Sequence, residues 1–223
     1  PRPKYLWADT SLDRKAPNRG VTDQAIEWIA GQGKKPLFLF AHYYDLHSEY
    51  TSEPYFEKLF ARPYQGTVTG TGWELKQAVL EQDYIESCHR NFDAERCSFG
   101  SEYVVDESVH RLHFDAADVR HLIDLYDAGI RQLDTELERF FSFLRDNELM
   151  ERCYLVFTAD HGDEFGEHGS IDHSYTQYQE MLHVPLVIRG PGIPAGLRIS
   201  TPVSMVDLLP TILGLAQVTP PAD

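Results

Sequence analysis

The sequence predicts an α/β fold in which helices flank a mainly parallel sheet. Two short, uninterrupted apolar runs, residues 36–41 and 153–159, have the pattern of strands buried on both faces. A long amphipathic segment lies between them, and the order strand, helix, strand predicts a right-handed crossover between parallel strands. Polar residues directly follow both runs, as is typical of a ligand crevice at the carboxyl ends of parallel strands.

A helix is predicted before the first strand. Thr22 is the expected N-cap, and apolar residues follow it at helical spacing. Gly31 and Gly33 are expected to end this helix, since glycine disfavours the helical backbone.

Residues 61–117 have no regular period and are predicted to form an insertion. A loop this long without structure of its own is uncommon, so we expect a short helix at residues 73–84. Cys88 and Cys97 could close a loop here in an oxidising compartment, and the redox compartment stays open. The insertion either borders the crevice and tunes substrate choice or is a surface appendage.

The strongest helix signal begins at Asp115 and Asp118, which have the spacing of a capping box, and ends at Asn147. Apolar residues at steps of three and four predict one stripe that packs on the sheet. The stripe consists of Val119, Leu122, Tyr126, Ile130, Leu133, Leu137, Phe140 and Leu144.

Two further elements follow the strand at 153–159. Residues 184–188 form a third apolar run, which predicts another strand. Ser204 or Asp207 is expected to cap a last helix, with Pro210 in its first turn, where a missing N–H is tolerated.

Composition and charge narrow the function classes. The 223 residues are 42% hydrophobic and 25% charged, which excludes a disordered or collagen-like chain. A formal net charge of −15 argues against non-specific binding to nucleic acid or to anionic lipid. No apolar run approaches the roughly 18 residues of a membrane span, so none is expected.

Possible metal ligands are concentrated after the second predicted strand. Four of the ten histidines lie between His161 and His183, and five carboxylates lie between Asp160 and Asp172. Imidazole and carboxylate groups on a glycine-rich loop are what a divalent metal site requires. A solvated acidic loop explains the composition equally well, because no spacing here equals a zinc motif.

Four blocks in order resemble the sulfatase family of the alkaline-phosphatase-like superfamily. They read FLFAHYYDLHSEY (38–50), TADHGDEFGEHG (158–169), YQEMLHVPLVIRGPG (178–192) and VDLLPT (206–211). The resemblance implies an alkaline-phosphatase-like sandwich with a mainly parallel sheet between helices. It also implies metal-dependent hydrolysis of sulfate monoesters, with a small-molecule or glycan sulfate ester as substrate, and favours an exported protein.

The resemblance also assigns roles to four residues. Asp160 and His161 match the pair that completes the metal site. His47 matches the histidine at the leaving-group side of the ester, and His173 stands where many sulfatases place a lysine on the sulfate oxygens. Calcium is the metal that a sulfatase implies, with Mn, Mg or Zn as alternatives because imidazole suits Mn or Zn better than Ca.

The family's nucleophile motif, Cys-x-Pro-x-Arg or Ser-x-Pro-x-Arg, has no match here. We therefore expect the chain to be the C-terminal part of a sulfatase catalytic domain and inactive by itself. The formylglycine nucleophile is expected in the missing N-terminal part. The alternatives are a phosphoester or phosphonate hydrolase, a phosphoglycerol transferase of the same superfamily, or a non-catalytic truncated homologue; the oligomeric state stays open.

Overall fold

The computed structural model describes residues 17–219 except 34, 45, 48, 80–97, 100–101, 104–111 and 174–175. The chain divides into two compact units. The first contains the described residues of Pro1–Phe143 and Asp160–Val184, and the second those of Leu144–Ala159 and Pro185–Asp223. None of the helices in the described ranges is long and apolar enough to span a bilayer.

The elements of the first unit are mainly helical. Its helices are α1 (Pro17–Gln32), α2 (Pro54–Phe60), α3 (Gly72–Val79), most of α4 (Ala116–Asp146) and α5 (Gln179–Leu182). Its strands are the two-residue pairs β1 (Ser98–Phe99) with β2 (Glu102–Tyr103), and β4 (Glu164–Phe165) with β5 (Ile171–Asp172). Both pairs are antiparallel.

The second unit contains β3 (Leu155–Thr158), β6 (Leu186–Arg189), a 3₁₀ turn (Met205–Asp207) and α6 (Leu208–Leu215). Strands β3 and β6 pair antiparallel, with Val156 opposite Ile188. Ser204 caps the 3₁₀ turn by accepting a hydrogen bond from the Val206 backbone N–H. Strands were therefore correctly predicted at residues 153–159 and 184–188, but their pairing is not parallel.

The predicted mainly parallel sheet is absent from the described residues, whose ladders are all antiparallel. Residues 36–41, predicted as a buried strand, are extended but belong to no ladder. Phe38 and Phe40 are 72% and 77% exposed. The prediction of a paired, buried strand is wrong here because a strand needs a partner's backbone groups and burial needs a covering layer, and the described residues offer neither.

Helix α4 confirms its predicted start and end. The Asp115 carboxylate accepts from the Asp118 backbone N–H at 2.9 Å, and Asp118 accepts from the Asp115 N–H at 2.9 Å, which is a reciprocal capping box. Its buried face packs Leu122 and Leu125 with Tyr50, Leu75 and Ile171 in the core of the first unit. Ile130, predicted in the stripe, is exposed instead.

Helix α1 starts earlier than predicted. It begins by Pro17, so Thr22 lies inside it rather than at its N-cap. The Thr22 hydroxyl is buried and lies 3.1 Å from the Tyr43 hydroxyl, which explains a polar residue at this position. The helix ends at Gln32, before Gly33, whose φ of +64° confirms Gly33 as a stop, whereas Gly31, also expected to end the helix, lies within it.

The predicted insertion at residues 61–117 is only partly described. Its expected helix exists as α3, which ends at Val79, and the remainder of the predicted range lies outside the described residues. Cys88 and Cys97 also lie outside the described residues, while Cys153 is a half-buried free thiol. Whether the segment borders the crevice stays a prediction.

Candidate active site

The candidate site is built on the short antiparallel pair β4–β5. Its connection closes with a hydrogen bond from the Gly166 N–H to the Ser170 carbonyl at 2.8 Å. Gly166 and Gly169 have φ of +92° and +81°, so this turn requires residues that tolerate the left-handed region. The pairing places Glu164 opposite Asp172 and brings both ends of the loop together.

The loop before β4 is held by α5. The Gly162 N–H donates to the Met181 carbonyl at 3.0 Å. A Cβ atom at Gly162 would collide with the Glu180 carbonyl oxygen, so glycine is required by this close approach. This backbone contact fixes the loop that carries His161 and Asp163.

Three histidines from two distant parts of the chain converge at the site. His47 follows the extended segment, His161 lies before β4, and His173 follows β5. The ring centroids of His47 and His173 are 4.5 Å apart, and those of His161 and His173 are 4.3 Å apart in a stacked arrangement. One nitrogen from each of the three rings lies within 4.8 Å of the other two.

His173 lies between two buried carboxylates. Its Nδ1 is 2.7 Å from Asp172 Oδ1 and 3.0 Å from Asp163 Oδ1. Hydrogen bonds to Asp163 and Asp172 outweigh the cost of burial and raise the pKa of His173 to about 10. The imidazole is therefore a cation at neutral pH, with Nε2–H available as a donor.

His47 has a different environment. Tyr44 stacks on its ring with centroids 4.3 Å apart, and the Tyr44 hydroxyl lies 3.2 Å from Nε2. Burial, and then the positive charge of His173, lower the pKa of His47. His47 is accordingly neutral at pH 7, while its neighbour is charged.

Asp160 and His161, the predicted metal ligands, are adjacent but differ in exposure. The His161 Nδ1 lies 3.0 Å from the Gly162 carbonyl, which favours Nδ1–H and leaves the Nε2 lone pair for a ligand bond. The Asp160 side chain is 77% exposed, with Oδ1 3.9 Å from His161 Nε2. Two ligand atoms of one ion lie within roughly 4 Å of each other, so this pair fits a divalent cation.

Buried aromatic and polar side chains pack against the β4–β5 hairpin. Tyr50 contacts Tyr126 and Phe165, with ring centroids 5.3 and 5.4 Å away. Burial, followed by the charge of Asp163, raises the pKa of Tyr50, so its hydroxyl stays protonated. Glu164 is 1% exposed and accepts a hydrogen bond from the Thr176 hydroxyl.

The structure thus brings His47, His161 and His173 together, while Asp160 stands at the edge of this group. Sequence reasoning counted Asp163 and Asp172 only among the possible metal ligands, did not foresee their contact with His173, and gave no role to Tyr44. The adjacency of Asp172 and His173 in the sequence could have indicated a carboxylate–histidine contact. The contact of Asp163 with His173 depends on the β4–β5 hairpin and has no such signal. A cationic donor, a neutral imidazole and two potential metal ligands in one place can bind an anion and act on its ester bond.

Comparison with known proteins assigns this architecture to a class of hydrolases. A family model described as Sulfatase matches residues 7–218, nearly the whole chain. The chain therefore belongs to the sulfatase family, and the resemblance carried by the four sequence blocks is confirmed.

Individual relatives agree with the family. Arylsulfatase K of Xenopus laevis is 32% identical over 215 residues, covering 89% of this chain and 36% of the relative. Arylsulfatase K of Danio rerio is 29% identical over 199 residues, covering 89% and 37%. The chain thus spans little more than a third of the length of these curated relatives.

A solved structure shows the same fold. The phosphonate monoester hydrolase SpPMH from Silicibacter pomeroyi superposes with a TM-score of 0.62 at 21% identity, over 94% of this chain and 38% of that one. This likeness supports the predicted alkaline-phosphatase-like fold at the level of overall architecture.

Proposed function

We propose that the full-length protein hydrolyses sulfate monoesters in a metal-dependent reaction and that this chain supplies the C-terminal part of the catalytic site. The observation that carries the proposal is the convergence of His47, His161 and His173, with His173 held between two carboxylates. A sulfate ester needs both a cationic donor for its oxygens and a donor for its leaving group, and this set offers both.

In this proposal His173 binds the sulfate oxygens. Its charge is sustained by Asp163 and Asp172, so its Nε2–H donates a charge-assisted hydrogen bond to an anion. His47 faces the same sulfate group. Because its imidazole is neutral, it donates a hydrogen bond to the leaving oxygen without bringing a positive charge there. Tyr44 holds the His47 ring in place through stacking.

Asp160 and His161 would hold the metal. A bound divalent cation would act as a Lewis acid on an ester oxygen and stabilise an ionised nucleophile. The resemblance implies calcium, but a histidine ligand suits Mn or Zn better, and Mg is a further alternative. The nucleophile, by the same resemblance a formylglycine, lies outside this chain, so we expect the 223 residues alone to show no sulfatase turnover.

A phosphoester or phosphonate hydrolase, or a phosphoglycerol transferase, is the second candidate. Its support is the Asp160–His161 pair, where many sulfatases have Asp-Asn, together with the fold shared with a phosphonate monoester hydrolase. A cationic His173 serves a phosphoryl oxygen as well as a sulfuryl oxygen, so geometry alone does not separate the two.

The test uses the full-length protein, stripped with EDTA and reconstituted separately with Ca, Mn, Mg or Zn. We expect metal-dependent hydrolysis of an aryl sulfate faster than that of the matching aryl phosphate or phosphonate monoester. The variant Asp160→Ala/His161→Ala should lose bound metal in elemental analysis. His168→Ala is the matched control, since His168 lies in the nearby β4–β5 connection but stacks on Tyr178 outside the site.

Each other outcome has a definite meaning. Faster phosphonate or phosphate hydrolysis would favour the second candidate. Wild-type metal content in the double variant would refute the assignment of Asp160 and His161. Absence of turnover on every ester, with metal bound, would favour a non-catalytic homologue.

A further inference from the structure

Two carboxylates in the site would act on the proposed reaction only through His173. Asp163 comes directly before β4, and Asp172 is the last residue of β5, so the hairpin brings them to the same imidazole. Both contact Nδ1 of His173, at 3.0 and 2.7 Å. The side chains of all three residues are at most 10% exposed, which shields this contact from water.

Asp172 has an unfavourable backbone conformation. Its φ is +73°, in the left-handed region, although it is not a glycine. Residues held in this region by their surroundings cluster at functional sites. Glycine would relieve the conformation, so backbone stability alone does not account for an aspartate here. The retained carboxylate points to a use for its oxygen.

We propose that Asp163 and Asp172 are positioning residues that fix the ring orientation of His173. An imidazole whose Nδ1–H is bonded to carboxylate oxygens presents Nε2 in one direction, as in carboxylate–histidine pairs at metal sites. The carboxylate pair would thereby hold the nitrogen that binds the sulfate oxygens. The expected effect on turnover rests on the proposed function, whereas the orientation of the His173 ring does not.

The structural content is tested by NMR on this chain, without metal or substrate. Long-range ¹⁵N–¹H spectra detect the ring nitrogens of the histidines. The signals of His173 are assigned as those that are missing from the spectrum of the variant His173→Gln. We expect a proton on Nδ1 that exchanges slowly with solvent in the wild type. In Asp163→Asn/Asp172→Asn this exchange should become fast. An unchanged His173 spectrum in the double variant would overturn the inference.

The catalytic consequence is tested by comparing activity with stability. Asparagine tolerates the left-handed region and keeps one acceptor oxygen, whereas glycine removes the acceptor and relieves the backbone. In the full-length protein we expect aryl sulfate kcat to fall from the wild type to Asp172→Asn and further to Asp172→Gly, by roughly 10- to 100-fold for the glycine variant. KM should change little if the donor acts mainly in the transition state.

The unfolding temperatures of these variants should not follow the order of their kcat values. Asp172→Gly should unfold at a temperature no lower than Asp172→Asn, because the left-handed backbone is relieved. Glu148→Gly is the control for the backbone effect alone, since Glu148 has φ of +55° and is exposed outside the site. Parallel losses of kcat and unfolding temperature in the Asp172 variants would indicate a purely structural role and overturn the proposal.

Two results separate this inference from the proposed function. Loss of bound metal in Asp172→Asn would make the carboxylates metal ligands and overturn the positioning role. If the wild-type protein hydrolyses no sulfate ester, the proposed function fails, yet the His173 spectra still decide whether the carboxylate pair orients the ring.

Discussion

The strand pair β4–β5 contains charged residues that are buried, whereas the strand pair β3–β6 contains apolar residues that are exposed. The pair β4–β5 contains Glu164 and Asp172, which are 1% and 4% exposed. The pair β3–β6 is almost entirely apolar, yet Val187 is 55% exposed. Hydrophobicity therefore located β3 and β6, but it does not tell which strands of this chain are buried.

Burial of the polar pair is offset by partners at Asp172 and at Oε2 of Glu164, whereas Glu164 Oε1 has no hydrogen-bond partner among the described residues. Asp172 contacts the His173 cation, and Glu164 accepts from the Thr176 hydroxyl. A buried charge without such partners would be strongly unfavourable. The apolar pair needs no partner of this kind, and its exposure costs little per residue because isolated apolar side chains at a surface are common.

The largest effect is expected from removing His173, the cation that contacts Asp172 of the polar pair. In the full-length protein, His173→Ala should lower aryl sulfate turnover by about 10²–10⁴-fold, the scale of a positioned acid or donor. It should also lower the unfolding temperature, since Asp163 and Asp172 lose their counter-charge. His47→Ala should lower turnover similarly while leaving the unfolding temperature nearly unchanged. Equal unfolding temperatures of the two variants would show that Asp163 and Asp172 do not depend on the charge of His173.

An equivalent apolar truncation in each strand pair measures the contrast directly. Ile171 in β5 is 7% exposed, and Ile171→Ala should cost about 2–5 kcal/mol of unfolding free energy. Val187→Ala in the apolar pair should change it by less than about 0.5 kcal/mol because that side chain is largely exposed. Urea denaturation measures both, and a larger loss at Val187 would show that the apolar pair is covered in solution.

The loop that carries the site leaves no room at Gly162. Gly162→Ala should lower the unfolding free energy by about 1–3 kcal/mol, because the added Cβ collides with the Glu180 carbonyl. Gly31→Ala in α1 is the matched control, as no atom lies within 4 Å of that Cβ. The control should be stabilised by up to about 1 kcal/mol. Equal effects at both positions would mean that the backbone contact of Gly162 is not maintained.

The smallest effect is expected at the ion pair of Arg62 with Asp124. The Arg62 guanidinium donates hydrogen bonds to both Asp124 carboxylate oxygens and holds the pKa of that carboxylate below its usual 3.8. This stabilisation is present above pH about 4 and is lost as pH falls through the lowered pKa. The stability difference between wild type and Asp124→Asn should therefore shrink in acid denaturation curves below about pH 4; a constant difference would exclude the linkage.

Local signals in the sequence predicted several elements well. The Asp115 and Asp118 spacing predicted a capping box that the structure confirms, and the end of α1 at Gly33 was also predicted. These features depend only on side chains near each other in the chain. Strand pairing was predicted wrongly because apolar runs carry no information on the direction of a partner.

The candidate site depended on resemblance more than on spacing. Nothing in residue spacing links His47 to His173, and only the ordered blocks placed them in one site; their roles remain predictions. The carboxylates around His173 were not foreseen, because Asp163 reaches it through the turn of β4–β5 and Asp172 through a left-handed φ. Neither is visible in a hydrophobic pattern.

The extended segment at residues 36–41 has a consequence for the colloidal behaviour of the chain. Its backbone is in no ladder, and Phe38 and Phe40 are largely exposed, which is the pattern that recruits strands from other molecules. The net charge of −15 opposes this association through mutual repulsion. At 0.1 M, added salt largely screens that repulsion at separations beyond about 10 Å, so light scattering by the purified chain should rise with ionic strength.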